Sequence, residues 1–170
     1  DVFALITGAS SGIGKAIAAE LAHKKINLIV SSRRKPELEA LKTELEAQHG
    51  ISVIVFPADL SREDECRKLH QDCQNYDPEI VVNNAGFGCI WMFVDNFLDD
   101  ELRMIRLNVE GLHILTKLFA RSMKKGVILN VASMAAFLPT PFMAAYAATK
   151  AYVHHLSRAV DYELKVSKKP

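Results

Sequence analysis

Five apolar residues, Val2-Phe-Ala-Leu-Ile6, run straight into Thr7-Gly-Ala-Ser-Ser-Gly-Ile-Gly14, and a helical pattern follows from Ile13 to Lys25. An unbroken apolar run of this length suits a strand buried on both faces. In the segment after it, Ile13, Ala16, Ile17 and Leu21 fall on one side of a helix. Strand, glycine-rich turn and helix, in this order, make the setting of a dinucleotide-binding loop. Glycine permits the tight turn and a close approach of backbone to phosphate. The helix N-terminus offers unpaired N–H groups and the positive end of its dipole. The spacing is Gly8-x3-Gly12-x-Gly14, not G-x-G-x-x-G. A plain glycine-rich turn is the bland alternative, and the flanking strand and helix weigh against it.

Asn27-Leu-Ile-Val-Ser31 is the second predicted strand, and Pro36 opens a helix over Glu37–Gln48. Between them stand Ser32, Arg33, Arg34 and Lys35. An acid at this point would bind the ribose 2′-hydroxyl of NAD. This chain has none, and a guanidinium fork suits a phosphate. A 2′-phosphate, hence NADP, is favoured over a merely solvated basic cluster.

Ile51–Phe56 is a third predicted strand, closed by Pro57-Ala-Asp-Leu60. Asp59 can meet an adenine amino group or serve as a turn acid, and the sequence leaves both open. Ser61 begins a helix that reaches about Asn75. Glu79–Val82 is a fourth strand, followed by Asn83-Asn84-Ala85-Gly86, where small residues let backbone approach a bound group. Residues 87–98 carry Phe87, Trp91, Met92, Phe93 and Phe97, expected as core unless they wall a nonpolar pocket. A long helix is expected from Asp99 to about Lys125. Asn108 is unfavourable in its middle and, with Gly111, suggests an irregular turn with a polar task. Val127–Val131 is the fifth strand. Helical runs alternating with buried strands give an α/β fold with a parallel sheet.

Downstream, Ser133 to Lys150 reads S-M-A-A-F-L-P-T-P-F-M-A-A-Y-A-A-T-K. Tyr146 and Lys150 leave one helix face, one turn apart. A phenol ordinarily titrates near about 10, and a neighbouring ammonium favours its ionised form. Such a phenol can pass a proton to or from a carbonyl or hydroxyl. Ser133 can reach the same oxygen from the facing loop. Y-x-x-x-K alone is a common surface pair; the upstream loop is what gives it weight. The helix is expected to reach Lys165, with Lys165–Lys169 a solvated end. His154 and His155 diverge on it, so no metal site is expected.

The 170 residues suffice for one core. A formal net charge of +1 suggests neither a nucleic acid nor an anionic membrane as partner. Cys66, Cys73 and Cys89 show no metal-ligand spacing and fit a reducing, cytoplasmic setting. No apolar run is long enough to span a bilayer. The chain begins with Asp1, so its natural start, with any targeting segment, is expected to lie upstream.

Thr7-Gly-x3-Gly-x-Gly14, Asn83-Asn-Ala-Gly86, Asn108, Ser133 and Tyr146-x3-Lys150, in this order, resemble the short-chain dehydrogenase/reductase family over essentially the whole chain. The resemblance implies one Rossmann-like domain, a doubly wound parallel sheet flanked by helices. It implies hydride transfer between a nicotinamide and a carbonyl or alcohol. By it, Tyr146 is the acid/base and Ser133 orients the substrate oxygen. Lys150 holds the nicotinamide ribose and lowers the tyrosine pKa, and Asn108 fixes a relay water. Gly8, Gly12 and Gly14 cradle the pyrophosphate, with Ser10, Ser11 and Ile13 beside it. Arg33, flanked by Ser32 and Arg34, takes the NADP-selecting position. Asp59 and Leu60 lie at the adenine, and Asn83, Ala85 and Gly86 at the adenosine ribose. The family's later strands and substrate loop are not found before Pro170. Dimers or tetramers through helices 99–125 and 146–165 are expected.

The expected activity is NADPH-dependent carbonyl reduction, or its reverse. The expected substrate is a hydrophobic ketone, 3-oxoacyl or steroid-like compound held by Phe87, Trp91, Met92, Phe137, Leu138, Phe142 and Met143. A nucleotide sensor or scaffold without chemistry and a reductase of small polar substrates such as sugars are the alternatives.

Overall fold

Alternate residues of a strand face opposite sides of its sheet, and here both sides are apolar. In the computed structural model, which describes residues 2–167, five strands pair in parallel in the order β3-β2-β1-β4-β5. They are β1 (Phe3–Thr7), β2 (Asn27–Ser31), β3 (Val53–Val55), β4 (Ile80–Asn83) and β5 (Val127–Asn130). Ala4, Ile6, Leu28 and Val30 cluster with Ala18 and Ala22 of α1 (Gly12–His23) and Leu38, Leu41 and Leu45 of α2 (Lys35–His49). Leu5, Ile29 and Val81 join the other cluster, with Cys66, Leu69 and Cys73 of α3 (Glu63–Cys73) and Leu115 and Phe119 further on. Burying each large aliphatic or aromatic side chain contributes about 1.5–3 kcal/mol. The strand order reverses between β1 and β4, and a crevice opens beyond their carboxyl ends.

The element boundaries fall within a few residues of the sequence expectation, and the irregular turn expected at Asn108 and Gly111 is present. The expected helix 99–125 is three segments: α4 (Leu98–Ile105), a π-helical turn (Arg106–Gly111) and α5 (Leu112–Ser122). Gly111 permits the irregularity, because a Cβ there would stand 2.1 Å from the Leu60 carbonyl oxygen. The last helix, α6 (Ala144–Val166), packs against the π turn, α4 and β5. Lys168 and Lys169, expected as part of a solvated helix end, lie outside the described residues.

The apolar loop before α4 is not core. Ile90, Trp91, Met92, Phe93, Val94 and Phe97 are all exposed, Trp91 at 68%. They sit on a connection that no described element covers. Cys66 and Cys73 are fully buried, and desolvation pushes each thiol up to about 12.

Candidate active site

The glycine-rich turn and the Asn83–Gly86 segment form one hydrogen-bonded unit. Thr7 Oγ1 donates to Val82 O at 3.3 Å and accepts from the Asn84 and Ala85 N–H groups at 3.0 Å each. Asn84 Nδ2 donates back to Thr7 O at 3.0 Å. Thr7 and Asn84 stand in the two motifs, but the sequence assigns them no role, since it does not show that the strands they end are neighbours. Gly8 (φ 67°) and Gly12 (φ 55°) take up left-handed backbone that this turn requires. Gly14 is needed for a different reason. A Cβ there would lie 2.4 Å from Gly8 O and 2.5 Å from Asn84 Nδ2. It sets the distance between helix and turn, and it does not line the cleft.

That cleft, of about 680 Å³, crosses the carboxyl ends of the strands. Gly8, Ser10, Ser11, Gly12 and Ile13 line one part, and Ser32, Arg33 and Arg34 extend it. Arg34 Nη2 donates to Ser11 Oγ at 2.7 Å and Ser10 Oγ at 3.0 Å. No side chain caps the first turn of α1, so its N–H groups stay available to an anion. Asp59 and Leu60 also line the cleft. Burial alone would raise the Asp59 carboxyl. Hydrogen bonds from the Ser61 hydroxyl and amide, helped by the Arg33 charge, hold it below the usual range. Asp59 is thus both a turn acid and a cleft residue. Ala85 and Gly86 form the floor between this part and the far end, where Tyr146 and Lys150 stand.

Lys150 is 94% buried, being 6% exposed, and Nζ donates to Val131 O at 2.8 Å. Burial lowers its pKa from the ordinary lysine value. Its Nζ lies 5.8 Å from the centre of the Tyr146 ring. Tyr146 is half-buried, with its ring packed so close to Gly88 that a Cβ there would sit 3.0 Å from it.

Four expected site residues are not in the cleft lining itself. Gly14 is one. Asn108 is buried within the π turn, where Oδ1 accepts from Phe87 N–H at 3.1 Å. Its Nδ2 donates to Phe87 O at 2.8 Å and Thr149 Oγ1 at 3.2 Å. Both amide hydrogens are used, so this side chain braces the cleft wall from behind. Asn83 is 2% exposed, and its Nδ2 donates to Thr116 Oγ1 and Asn130 Oδ1 at 3.2 and 2.9 Å. Strand alternation turns its side chain toward α5 and β5. Ser133 is half-buried beside cleft-lining Ala132, and its Oγ accepts from Ala135 N–H at 3.2 Å, capping a short 3-10 turn.

The expected apolar pocket also needs correction. Phe87 and Met143 line the cleft, joined by Ile90 and Leu107. Trp91, Met92, Phe137, Leu138 and Phe142 are exposed side chains of the two flanking loops. Those loops are joined by the Trp91 N–H bond to Phe142 O at 3.0 Å. Among the described residues, no helix is long and apolar enough to cross a membrane.

A family model described as short chain dehydrogenase matches residues 2–168. The chain belongs to the short-chain dehydrogenase family. Among relatives of this short-chain dehydrogenase, the 17-beta-hydroxysteroid dehydrogenase type 3 of Homo sapiens is 36% identical over 169 residues, covering 96% of this chain and 54% of that protein. The very-long-chain 3-oxoacyl-CoA reductase of Anas platyrhynchos is 34% identical over 173 residues, with 96% and 55% covered. The chain therefore spans about half the length of these curated relatives. A short-chain dehydrogenase from Sphingobium yanoikuyae, solved with NADPH, superposes with a TM-score of 0.91 at 34% identity, over 99% of this chain and 68% of that one. The fold shared with that structure is one that binds nicotinamide dinucleotides. The residues here fit such a group: free helix N–H groups, left-handed glycines and guanidinium groups all border one cleft.

Proposed function

We propose that the full-length protein is an NADPH-dependent oxidoreductase that interconverts a carbonyl and an alcohol on an apolar substrate. One observation carries the reading: a single cleft joins the glycine-rich turn, Arg33 and Arg34 to Tyr146 and Lys150. The α1 N-terminus suits a pyrophosphate, and the two guanidinium groups suit a 2′-phosphate. A bound nicotinamide supplies or accepts the hydride. Tyr146 gives its phenolic proton to the substrate oxygen in reduction and takes it back in oxidation. The Lys150 ammonium, shielded from water, steadies the negative charge left on the phenol oxygen. Ser133 Oγ accepts from Ala135 N–H, which leaves its own hydrogen to donate to the substrate oxygen. Phe87, Ile90 and Met143 give this part of the cleft apolar walls. The relatives named for 3-oxoacyl-CoA and hydroxysteroid chemistry support an apolar ketone.

The test is calorimetric titration of NADPH and NADH into the full-length protein, followed by a panel of ketones, 3-oxoacyl thioesters and sugars. NADPH is expected to bind at least about tenfold more tightly, a difference of about 1.4 kcal/mol. Replacing Arg33 and Arg34 with Ala should abolish that preference. Tyr146→Phe should lower kcat by about 100-fold or more. Undiminished turnover in Tyr146→Phe would overturn the mechanism, and an NADH preference would overturn the cofactor assignment. Tight NADPH binding without turnover of any carbonyl would indicate a binding role alone.

A further inference from the structure

Thr149 sits between the two residues assigned to the chemistry, is 3% exposed, and does not line the cleft. A hydroxyl has one hydrogen to give. Thr149 Oγ1 gives it to Tyr146 O at 2.7 Å, the carbonyl three residues earlier in α6. A threonine bonding back to its own helix is commonplace. What that pattern does not explain is the second bond: Asn108 Nδ2 reaches Thr149 Oγ1 at 3.2 Å from 41 positions away.

With its hydrogen committed, Thr149 can only accept from Asn108, and it takes the Nδ2 hydrogen that Phe87 O leaves over. Oδ1 accepts from Phe87 N–H, so the Phe87 backbone sets the amide orientation and Thr149 adds the third bond that holds it. The reverse orientation would set two carbonyl oxygens against each other. Phe87 is thus gripped at both backbone polar groups. The residues beside it have no slack. A Cβ on Gly86 would lie 2.9 Å from Asn108 Oδ1, and one on Gly88 would lie 3.0 Å from the Tyr146 ring. The loop is wedged between the amide and the phenol ring, so a shift of one moves the other.

The geometry points to Thr149 as a positioning residue whose hydroxyl, through Asn108 and the Phe87 backbone, holds the cleft wall in register with Tyr146 and Lys150. This rests on the oxidoreductase reading for its effect on turnover, but the lock itself is a property of the chain. Catalytic groups tolerate displacements of only a fraction of an ångström, and the wall that Thr149 holds abuts the Tyr146 ring at Gly88. Its loss should therefore show in kcat before KM.

The experiment compares Thr149→Val, which keeps the branched shape and loses the hydroxyl, with Thr149→Ser, which keeps the hydroxyl. Both are made in the full-length protein. Two readouts are taken: hydrogen exchange of the peptide covering residues 84–91, and steady-state kinetics with NADPH. Thr149→Val should raise exchange in that peptide by about tenfold, leaving the peptide over residues 27–31 unchanged. It should lower kcat by about tenfold, with a smaller loss of NADPH affinity because residues 84–86 also line the cleft. Thr149→Ser should restore both. Parent-like exchange in Thr149→Val, or failure of Ser to rescue, overturns the proposal. If Thr149→Val does not fold, Thr149→Ala against Thr149→Ser decides the same comparison. If the parent protein reduces no carbonyl, the functional reading fails while the exchange readout still decides the lock.

Discussion

Gly14→Ala isolates the contact on which the dinucleotide end of the cleft is built. The added methyl carbon would fall 2.4 Å from Gly8 O and 2.5 Å from Asn84 Nδ2, where ordinary contact begins at 3.4 Å. The Gly8 carbonyl must therefore retreat by about 1 Å, against a turn that Thr7 and Asn84 pin with four hydrogen bonds at 3.0–3.3 Å. Overpacking of this kind costs typically about 1–3 kcal/mol, and more where the neighbours are backbone. Alanine recovers about 1 kcal/mol of helix propensity at a position inside α1. The net expectation is a loss of about 2 kcal/mol of stability. NADPH affinity should fall by about tenfold or more, because the retreat displaces Gly8 from the cleft lining. Gly12→Ala is the internal comparison. Nothing lies within 4 Å of its Cβ position, yet its φ is +55°, so only the left-handed backbone penalty of about 1–2 kcal/mol applies. Urea unfolding and calorimetry read both quantities. A Gly14→Ala protein as stable as its parent, with unchanged NADPH affinity, would refute the claim that Gly14 sets the spacing of helix and turn.

Lys150→Met removes a buried ammonium that has no carboxylate partner among the described residues. It should abolish turnover and raise stability at pH 7 by about 1 kcal/mol, since an unpaired buried charge is costly. The sign with pH follows from the lowered folded-state pKa of Lys150. Between that value and the ordinary lysine value of about 10.4 the unfolded chain binds the extra proton, so the parent gains stability as pH rises. The advantage of Lys150→Met, measured by urea unfolding at pH 7 and pH 10, should therefore shrink at the higher pH. Cysteine alkylation gives a separate check on the core. With Cys66 and Cys73 pushed up to about 12 and sealed between the sheet and α3, a thiol reagent at pH 8 should modify half-buried Cys89 and spare both until the protein unfolds. Mass spectrometry showing rapid labelling of Cys66 or Cys73 in the native state would contradict that packing.

Much of the site was legible in the sequence because its determinants are local. Apolar runs of strand length, a turn whose glycines take positive φ, and a four-residue spacing on one helix face act between near neighbours in the chain. The glycine-rich loop, the basic stretch after β2 and the Tyr146–Lys150 pair could therefore be read without coordinates, and all of them border the cleft. The direction of the Asn83 side chain could not be read from the sequence, because strand phase decides whether it faces the cleft or α5. The irregular turn expected at Asn108 and Gly111 within the long helix 99–125 is the π turn, and what the sequence could not show is that the Leu60 carbonyl fills the space beside Gly111. The exposed loop from Ile90 to Phe97 looked like core because composition registers apolarity but not what packs over it.

By itself the sequence determined an α/β chain with a dinucleotide loop and a phenol–ammonium pair, since period, glycine placement and spacing act within a few residues. Only the tertiary structure decided which polar groups are already spent. Asn108 is used up on Phe87 and Thr149, and Thr7 binds a strand 75 positions away. A hydrogen bond is satisfied by whichever partner the fold brings within about 3 Å, and that partner has no fixed offset along the chain.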